Sequence, residues 1–209
     1  MDLLNPKIAA YLERLAATRD PVLREMEKVA RRRGFPIAGP EVGALLCQLV
    51  LVSGARRVLE LGSGYGYSAS WLARALPRGG RIVCVDASAE NVQAARFFLL
   101  RQGLAGRVRL LVGDAVRVLD RLPGPFDLVF NDVDKEQYAR ILPKVLRRLR
   151  AGGILVTDNM LWEGRVVRGD RSASTRGVIR YTEMLYASKG LLTTMLPIRD
   201  GVTITVKLG

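Results

Sequence analysis

Four residues suited to metal binding and proton transfer follow two apolar runs in the second half of the sequence. Asp132 and Lys135 occur in "NDVDK", and Asp158 and Asn159 occur in "TDN". Two carboxylates and an amide oxygen are hard ligands that suit Mg²⁺, with Mn²⁺ or Ca²⁺ as alternatives, and leave positions for water or a substrate. The competing interpretation is that Asp and Asn at strand ends cap the helix or turn that follows.

Lys135 is the candidate general base of this group. The chain contains no histidine, which excludes Ser-His and Cys-His nucleophiles and the usual zinc ligands. Lys135 lies three residues after Asp132, one helical turn away. A divalent cation held nearby would therefore favour its neutral amine. The alternative is a solvated surface lysine.

A glycine-rich segment, "VLELGSGYGYSASWLA" at residues 58 to 73, joins an apolar run to an amphipathic stretch. Its glycines, Gly62, Gly64 and Gly66, permit positive φ and lack the Cβ that would keep a ligand from the backbone. Asp86 follows twenty residues after Gly66, where a carboxylate can accept hydrogen bonds from both ribose hydroxyls. The pattern predicts a nucleoside cofactor, although a tight strand-to-helix turn would also explain the glycines.

The residues around this loop favour a cationic nucleoside over NAD. The dinucleotide fingerprint G-x-G-x-x-G requires a small residue at position 67, where this chain has Tyr67. Glu60 precedes the loop and would place an anion where a pyrophosphate has to sit. S-adenosylmethionine offers an ammonium, a sulfonium and a ribose, and therefore fits better.

Composition indicates one cytoplasmic domain. At 209 residues and 49% hydrophobic, the chain is long enough for one buried core and short for two. The opening "MDLLNPK" lacks the features of a signal peptide, and the longest nearly apolar run, 42–52, is shorter than the ~20 residues of a membrane span. Cys47 and Cys84 lie far apart in apolar segments, as expected for buried thiols in a reducing compartment.

The net charge of +13 would attract anions such as nucleic acid, acidic lipid, or phosphorylated or CoA-linked substrates. The alternative is that arginine is scattered as an ordinary surface residue, as in 31–33 and 147–150. No basic stripe with interleaved aromatic residues is visible in the sequence.

The elements that position these residues change period near residue 53. Before it, the sequence predicts three helices. The first is predicted from the helical spacing of Leu4, Ile8, Tyr11, Leu12 and Leu15. The second begins after Asp20 and ends at Gly34, and the third covers "EVGALLCQLVLVSG". After it, helical stretches alternate with apolar runs at 57–61, 81–85, 107–112, 127–131 and 153–157.

This alternation predicts parallel βαβ units with right-handed crossovers. Two further strand-like runs flank Arg199-Asp200-Gly201, which predicts an antiparallel hairpin at the end of the sheet. We therefore expect a single α/β domain over 1–209, with N-terminal helices at 1–52 and an α/β core at 53–209.

Four segments together resemble the metal-dependent class I O-methyltransferases, the group that contains catechol and caffeoyl-CoA O-methyltransferases and many small bacterial relatives. They are "VLELGSGYGYSASWLA", "GDAVRVL", "FDLVFNDVDKEQYARIL" and "LRAGGILVTDNMLWEGRVV". The resemblance covers about residues 36 to 209. It implies a Rossmann-like, seven-stranded, mostly parallel sheet with helices on both faces and an antiparallel final strand.

The resemblance also implies roles for residues that match the family's motifs. Asp132, Asp158 and Asn159 would be metal ligands, Lys135 and Asp132 catalytic residues, and Asp114 would lie beside the adenine unless it is a plain turn cap. Tyr65 and Trp162 would wall the site unless they only pack. The remaining expected contacts of S-adenosylmethionine are Ala38, Glu60, Gly62, Ser63, Gly66, Ser68, Asp86, Ala115 and Asp132. A homodimer is also implied.

The methyl acceptor stays open. Val133 and Asp134 replace the bulky His-Trp pair of the animal catechol enzymes, Arg199 stands where many relatives have glycine, and the N-terminal helices match no known segment. Residues 163–181, polar and rich in arginine, are the expected substrate loop. The leading hypothesis is a vicinal dihydroxy aromatic acceptor, with or without a CoA link. The alternative is a hydroxylated uridine of tRNA, which the positive net charge of the chain would suit. A third hypothesis, a non-enzymatic binding module, is disfavoured because the chain has the set Asp132, Lys135, Asp158 and Asn159.

Overall fold

The computed structural model describes residues 5–16 and 20–209, so Leu4 of the first predicted helix lies outside the described residues. Three helices precede the sheet: α1 (Pro6–Ala16), α2 (Pro21–Arg33) and α3 (Gly39–Ser53). The Asp20 carboxylate caps α2 by accepting hydrogen bonds from the backbone N–H groups of Val22 and Leu23, and Gly34 ends the helix in a left-handed conformation. Both predicted ends of α2 are therefore confirmed.

Seven strands form one sheet in the order β3-β2-β1-β4-β5-β7-β6. The first five pair in parallel, and β7 is antiparallel to both β5 and β6. The strands are β1 (Arg57–Leu61), β2 (Arg81–Asp86), β3 (Val108–Val112), β4 (Phe126–Asn131), β5 (Leu149–Thr157), β6 (Leu191–Leu196) and β7 (Val202–Lys207). The predicted sheet and its closing hairpin are confirmed.

The first half of β5 differs from the prediction, which placed its start at residue 153. The strand begins at Leu149, and its register with β4 shifts between Phe126 and Leu128. Arg150 is held there because its Nε lies 2.7 Å from Oδ1 of Asp127. Polar and glycine residues at 150–153 hid this irregular start from the apolar pattern.

Five helices cover the two faces of the sheet: α4 (Tyr67–Ala75), α5 (Ala89–Arg101), α6 (Ala115–Arg121), α7 (Tyr138–Arg148) and α8 (Ala173–Ala187). Alternate residues of the central strands point to opposite faces, so Leu128 and Phe130 pack with α3 and α4 whereas Val129 packs with α6, α7 and α8. Within the described ranges, no helix combines the length and apolar character that crossing a membrane requires.

The strand order reverses between β1 and β4, which are neighbours in the sheet although two strands separate them in sequence. In open α/β sheets, ligands bind in the crevice at this reversal, beyond the carboxyl ends of the strands. The loops that follow β1, β2, β4 and β5 meet at this edge, and they carry the glycine segment and the residues predicted to do chemistry.

Candidate active site

The glycine loop after β1 is shaped by contact with the end of β4. Gly62 has φ +85°, and a Cβ at this position would lie 2.1 Å from the backbone oxygen of Asp132. Its N–H donates to the carbonyl oxygen of Val85, 2.8 Å away. Gly64 and Gly66 also have positive φ and would direct a Cβ at Phe35 and Ala95, respectively. Close packing within the protein therefore accounts for all three glycines without a ligand.

The Asp86 carboxylate, at the end of β2, is held in a fixed orientation beside this loop. Its Oδ2 accepts a hydrogen bond from the N–H of Gly64 at 2.8 Å. Its Oδ1 accepts from the N–H of Ser88 at 2.9 Å and from Nδ2 of Asn91 at 3.1 Å. A carboxylate has about four acceptor sites, so this arrangement leaves capacity for a ligand hydroxyl.

Glu60 is fully buried in β1, and both of its carboxylate oxygens lack a hydrogen-bond partner among the described residues. Burial raises its pKa to about 7; Ser68 and Cys84 are near enough to oppose this rise, and the negative charges of Asp132 and Asp86 add to it. Ionisation of a carboxylate buried in this way is costly, and a cation nearby would favour its charged form.

A cavity of about 550 Å³ lies between the glycine loop and the ends of β2, β4 and β5. Its wall contains most of the predicted cofactor contacts, namely Ala38, Gly62, Ser63, Tyr65, Ser68, Asp86, Asp114, Ala115 and Asp132. Glu60 and Gly66 are not part of the wall, because Glu60 is buried in the sheet and Gly66 packs against Ala95.

Two of these wall residues also serve the protein itself. The Asp114 carboxylate caps α6 by accepting a hydrogen bond from the N–H of Arg117 at 2.9 Å. The Tyr65 hydroxyl donates to the backbone oxygen of Met26 in α2, and its ring packs against Phe35 and Phe98. The Tyr65 side chain therefore packs under α2, although the residue also lines the cavity.

Asp132 and Asp158 lie side by side because each directly follows one of two adjacent parallel strands. The backbone N–H of Asp132 donates to the carbonyl oxygen of Leu61, and the backbone N–H of Asp158 donates to the carbonyl oxygen of Asn131. These bonds extend the hydrogen-bond ladder of the sheet by one residue at both positions. The hydroxyl of Tyr138 donates to the backbone oxygen of Asp158 at 2.9 Å. The two carboxylates are thus fixed at the same edge of the sheet.

The Lys135 ammonium connects the group. Its Nζ lies 2.7 Å from Oδ1 of Asn159 and 3.2 Å from Oδ1 of Asp132. The rings of Tyr138 and Trp162 each have their centroid 5.4 Å from the same nitrogen. With its side chain only 11% exposed, Lys135 is not a solvated surface lysine.

The two carboxylates destabilise each other's charge. Burial raises the pKa of Asp158 to about 8, and the negative charge of Asp132 adds to this effect, whereas the N–H of Asn159, Lys135 and Arg199 oppose it. Burial also raises the pKa of Asp132, with Lys135 opposing. Adjacent buried carboxylates of this kind are stabilised by a cation between them.

The residues present fit a hard divalent cation. Among residues 5–16 and 20–209, no three His, Cys, Asp or Glu side chains converge as a metal site, so the set depends on the amide oxygen of Asn159 beside Asp132 and Asp158. Three oxygen ligands are few for Mg²⁺ or Ca²⁺, which complete their coordination with water and substrate oxygens. This donor set leaves room for both.

Comparison with known proteins decides the family. A family model described as O-methyltransferase matches residues 13–208. This chain belongs to the O-methyltransferase family. It is 33% identical over 194 residues to a catechol O-methyltransferase from Mycobacterium tuberculosis, with 91% of this chain and 88% of the relative covered.

Two further relatives agree with this O-methyltransferase assignment. Caffeoyl-CoA O-methyltransferase 1 from Zea mays is 31% identical over 198 residues, covering 87% of this chain and 76% of the relative. The O-methyltransferase from Bacillus cereus, solved in complex with SAH (S-adenosylhomocysteine), is 30% identical with a TM-score of 0.88, covering 96% of this chain and 97% of that one.

The predicted substrate loop of this O-methyltransferase is shorter than expected. Residues 163–172 are outside regular helix apart from a 3₁₀ segment, Trp162–Val167, but α8 begins at Ala173. Ser172 caps α8 by accepting a hydrogen bond from the N–H of Thr175, so residues 173–181 are helical rather than loop. The prediction for that part was wrong because its arginine, serine and glycine content resembles a loop.

A second, larger cleft of about 1590 Å³ lies between the N-terminal helices and the loops after β5 and β6. Arg165 and Arg168 of the predicted loop line it, whereas Arg171, Arg176 and Arg180 do not. Two of the four arginines in its wall form ion pairs: Arg165 pairs with Glu163 at 2.7 Å, and Arg199 pairs with Glu41 at 3.3 Å. The arginines alone therefore do not define an acidic acceptor.

Sequence reasoning missed several residues of the site. Asp134 and Phe35 line the smaller cavity, and Gln137 places a buried oxygen there that has no partner among the described residues. Trp162, which was predicted to wall the site, also lines this cavity. Asp200 joins the site through hydrogen bonds to the loop after β5. The one sequence signal that included Asp200 was the predicted hairpin turn at Arg199-Asp200-Gly201.

Proposed function

We propose that this O-methyltransferase transfers the methyl group of S-adenosylmethionine to a hydroxyl of a small vicinal dihydroxy aromatic acceptor and that it requires a divalent cation, Mg²⁺ in the first instance. One observation carries the proposal. The cavity beside Asp86 and the glycine loop is also lined by Asp132, Lys135, Asp158 and Asn159. A methyl donor and an activated acceptor oxygen would therefore meet in one enclosed space.

The chain's residues would bind the methyl donor at the glycine loop. Asp86 would accept a hydrogen bond from a ribose hydroxyl, since three of its about four acceptor positions are used within the protein and one stays open. The buried carboxylate of Glu60, in the strand that leads into the glycine loop, would favour the cationic end of the donor through its charge. The SAH complex of the relative from Bacillus cereus supports this choice of nucleoside.

Asp132, Asp158 and Asn159 would hold the cation. When bound, it would stabilise negative charge on the acceptor oxygen and favour the neutral form of the neighbouring amine. A phenol has a pKa near 10, so a positioned base is needed to remove its proton at neutral pH.

Lys135 would be that base. Its Nζ lies beside two of the proposed ligands, and it would take the proton of the acceptor hydroxyl. The oxygen then forms a bond to the methyl carbon while the carbon–sulfur bond breaks and its electron pair returns to sulfur. Alignment of the two reactants in the cavity can contribute about 7–11 kcal/mol to such a step.

The acceptor would enter through the larger cleft, which reaches Asp158 and Asn159. Its wall includes Phe35, Ile37, Leu45 and Ile198, and apolar walls with a few polar groups suit an aromatic acceptor.

Exposed apolar side chains on α1, namely Ile8, Tyr11, Leu12 and Leu15, support the additional proposal of a homodimer. Light scattering of the purified protein would test it.

A methylation screen tests the proposed function. The purified chain is incubated with S-adenosylmethionine and Mg²⁺ and with catechols, phenolic acyl-CoA esters or undermodified tRNA, and products are identified by mass spectrometry. We expect O-methylated catechol or phenolic product that disappears with EDTA. Transfer to tRNA alone, falling steeply with salt, would favour the RNA alternative, and transfer that survives EDTA would contradict the metal requirement.

A further inference from the structure

Asp200, in the turn between β6 and β7, contacts the loop that carries the proposed ligand Asn159. Its Oδ2 accepts a hydrogen bond from Nδ2 of Asn159 at 3.3 Å. Its Oδ1 accepts from the backbone N–H of Glu163 at 2.5 Å. The carboxylate therefore holds both ends of the loop from 159 to 163.

This contact decides which end of the Asn159 amide faces the site. An amide has one oxygen that accepts hydrogen bonds and one nitrogen that donates them. Because Nδ2 is directed to Asp200, Oδ1 is directed to Lys135, 2.7 Å away. Only the oxygen can bind a hard cation, and a reversed amide would present hydrogen atoms to the cation instead.

The backbone around Asn159 depends on the same turn. In the part of the chain that the structure describes, every non-glycine residue with positive φ lies here: Asn159, Trp162, Glu163 and Arg199. The N–H groups of Met160 and Leu161 donate to the backbone oxygens of Gly201 and Asp200, at 2.9 and 2.8 Å. Strained conformations of this kind persist when neighbouring structure enforces them.

We propose that Asp200 is a positioning residue for the metal site: it fixes the amide of Asn159 so that Oδ1 faces the cation. This inference rests on the metal site of the proposed function. Residues that orient a ligand in this way commonly change metal affinity by about 10- to 100-fold when they are replaced.

Calorimetric titration with Mn²⁺ alone tests the inference on wild type, Asp200→Asn and Asp200→Ala. The Asn variant keeps the shape of the side chain, but only one of its two terminal atoms accepts a hydrogen bond. In either orientation its NH₂ group therefore faces a donor, either Nδ2 of Asn159 or the backbone N–H of Glu163. We expect both variants to bind Mn²⁺ about 10- to 100-fold more weakly while their affinity for SAH stays within about twofold of wild type. The matched control is Glu13→Gln, on α1, which removes one negative charge from the larger cleft and should leave Mn²⁺ affinity unchanged.

The outcomes separate this inference from the function on which it rests. Wild-type Mn²⁺ affinity in both Asp200 variants would overturn the positioning role and leave the metal site intact. An equal loss in Glu13→Gln would show that the charge of the cleft, not the hydrogen bond, sets the affinity, and would also overturn the positioning role. Wild type that fails to bind Mn²⁺ would overturn the metal site and this inference together.

Discussion

The Nζ atom of Lys135 lies 2.7 Å from Oδ1 of Asn159, so the proposed base and a proposed metal ligand, from different strand-end loops, are in direct contact. Asp132 completes the contact at 3.2 Å. The lysine and the cation would therefore share the same oxygen atoms, which places proton removal directly beside the charge that stabilises its product.

Lys135→Ala should cut turnover severely while leaving SAH affinity near that of wild type. A positioned general base contributes about 10²- to 10⁴-fold to the rate of such a reaction. Among the described residues, no other lysine lines the smaller cavity and could replace Lys135. Steady-state kinetics on the acceptor found in the screen, with Lys189→Ala as an exposed control, measures this. Retention of most of the rate would show that another group is the base.

Asp158→Asn should weaken Mn²⁺ binding by more than about 100-fold. Replacing a residue that only orients a ligand commonly weakens binding by about 10- to 100-fold, and Asp158 is itself a proposed ligand. The substitution removes one of two proposed carboxylate ligands and keeps the side chain's size. Calorimetry provides the affinity, and the exposed Glu183→Gln controls for a general loss of negative charge. Unchanged affinity in Asp158→Asn would refute the ligand set.

Gly62→Ala should destabilise the protein more than Gly54→Ala. Both glycines have positive φ, at +85° and +64°, but a Cβ at Gly62 would lie 2.1 Å from the backbone oxygen of Asp132, whereas a Cβ at Gly54 would meet open space. Backbone strain alone costs about 1–2 kcal/mol, and the clash at Gly62 adds to it. Urea unfolding of both variants checks this, and equal losses would mean that the loop does not pack against β4 as described.

Glu60 should make the ligand-free protein less stable as pH rises. Its pKa is about 7 in the folded protein and near 4.5 when unperturbed. The folded state therefore holds the proton more tightly, so stability is greatest below about pH 4.5 and falls as pH rises towards 7, by about 3 kcal/mol from this group.

Glu60→Gln should remove this part of the pH dependence. We expect its free energy of unfolding, measured in EDTA without cofactor between pH 5 and pH 8, to decline less than that of wild type. Asp158 titrates in the same window, so a reduced slope rather than a flat profile is expected. A slope equal to that of wild type would show that Glu60 is already ionised at pH 5.

The architecture was largely predictable because strand and helix periods are local properties of the sequence. The strands that carry Asp86, Asp132 and Asp158 follow from their apolar runs, and the rule that parallel strand ends share an edge brings these carboxylates together. The start of β5 and the first turns of α8 were not predictable from the same pattern, since Arg150 and Arg176 are typical of loops as well.

The parts of the site that sequence could not predict depend on contacts between distant segments. The hydrogen bond from Asn159 to Asp200 spans 41 residues, and the one from Tyr65 to Met26 spans 39. Neither side chain's partner can be found from spacing, because no local period relates the two positions. The residues proposed to do chemistry were visible in the sequence, whereas the residues that orient them were not.

A crystal structure with SAH and Mn²⁺ tests the central claim most directly, because anomalous scattering locates the metal independently of the protein. We expect a single strong anomalous peak in contact with oxygens of Asp132, Asp158 and Asn159, and the nucleoside beside Asp86 with its sulfur facing that peak. The proposed metal site would be contradicted if these three oxygens point apart with no metal between them. The proposed cofactor site would be contradicted if the nucleoside is bound at another place.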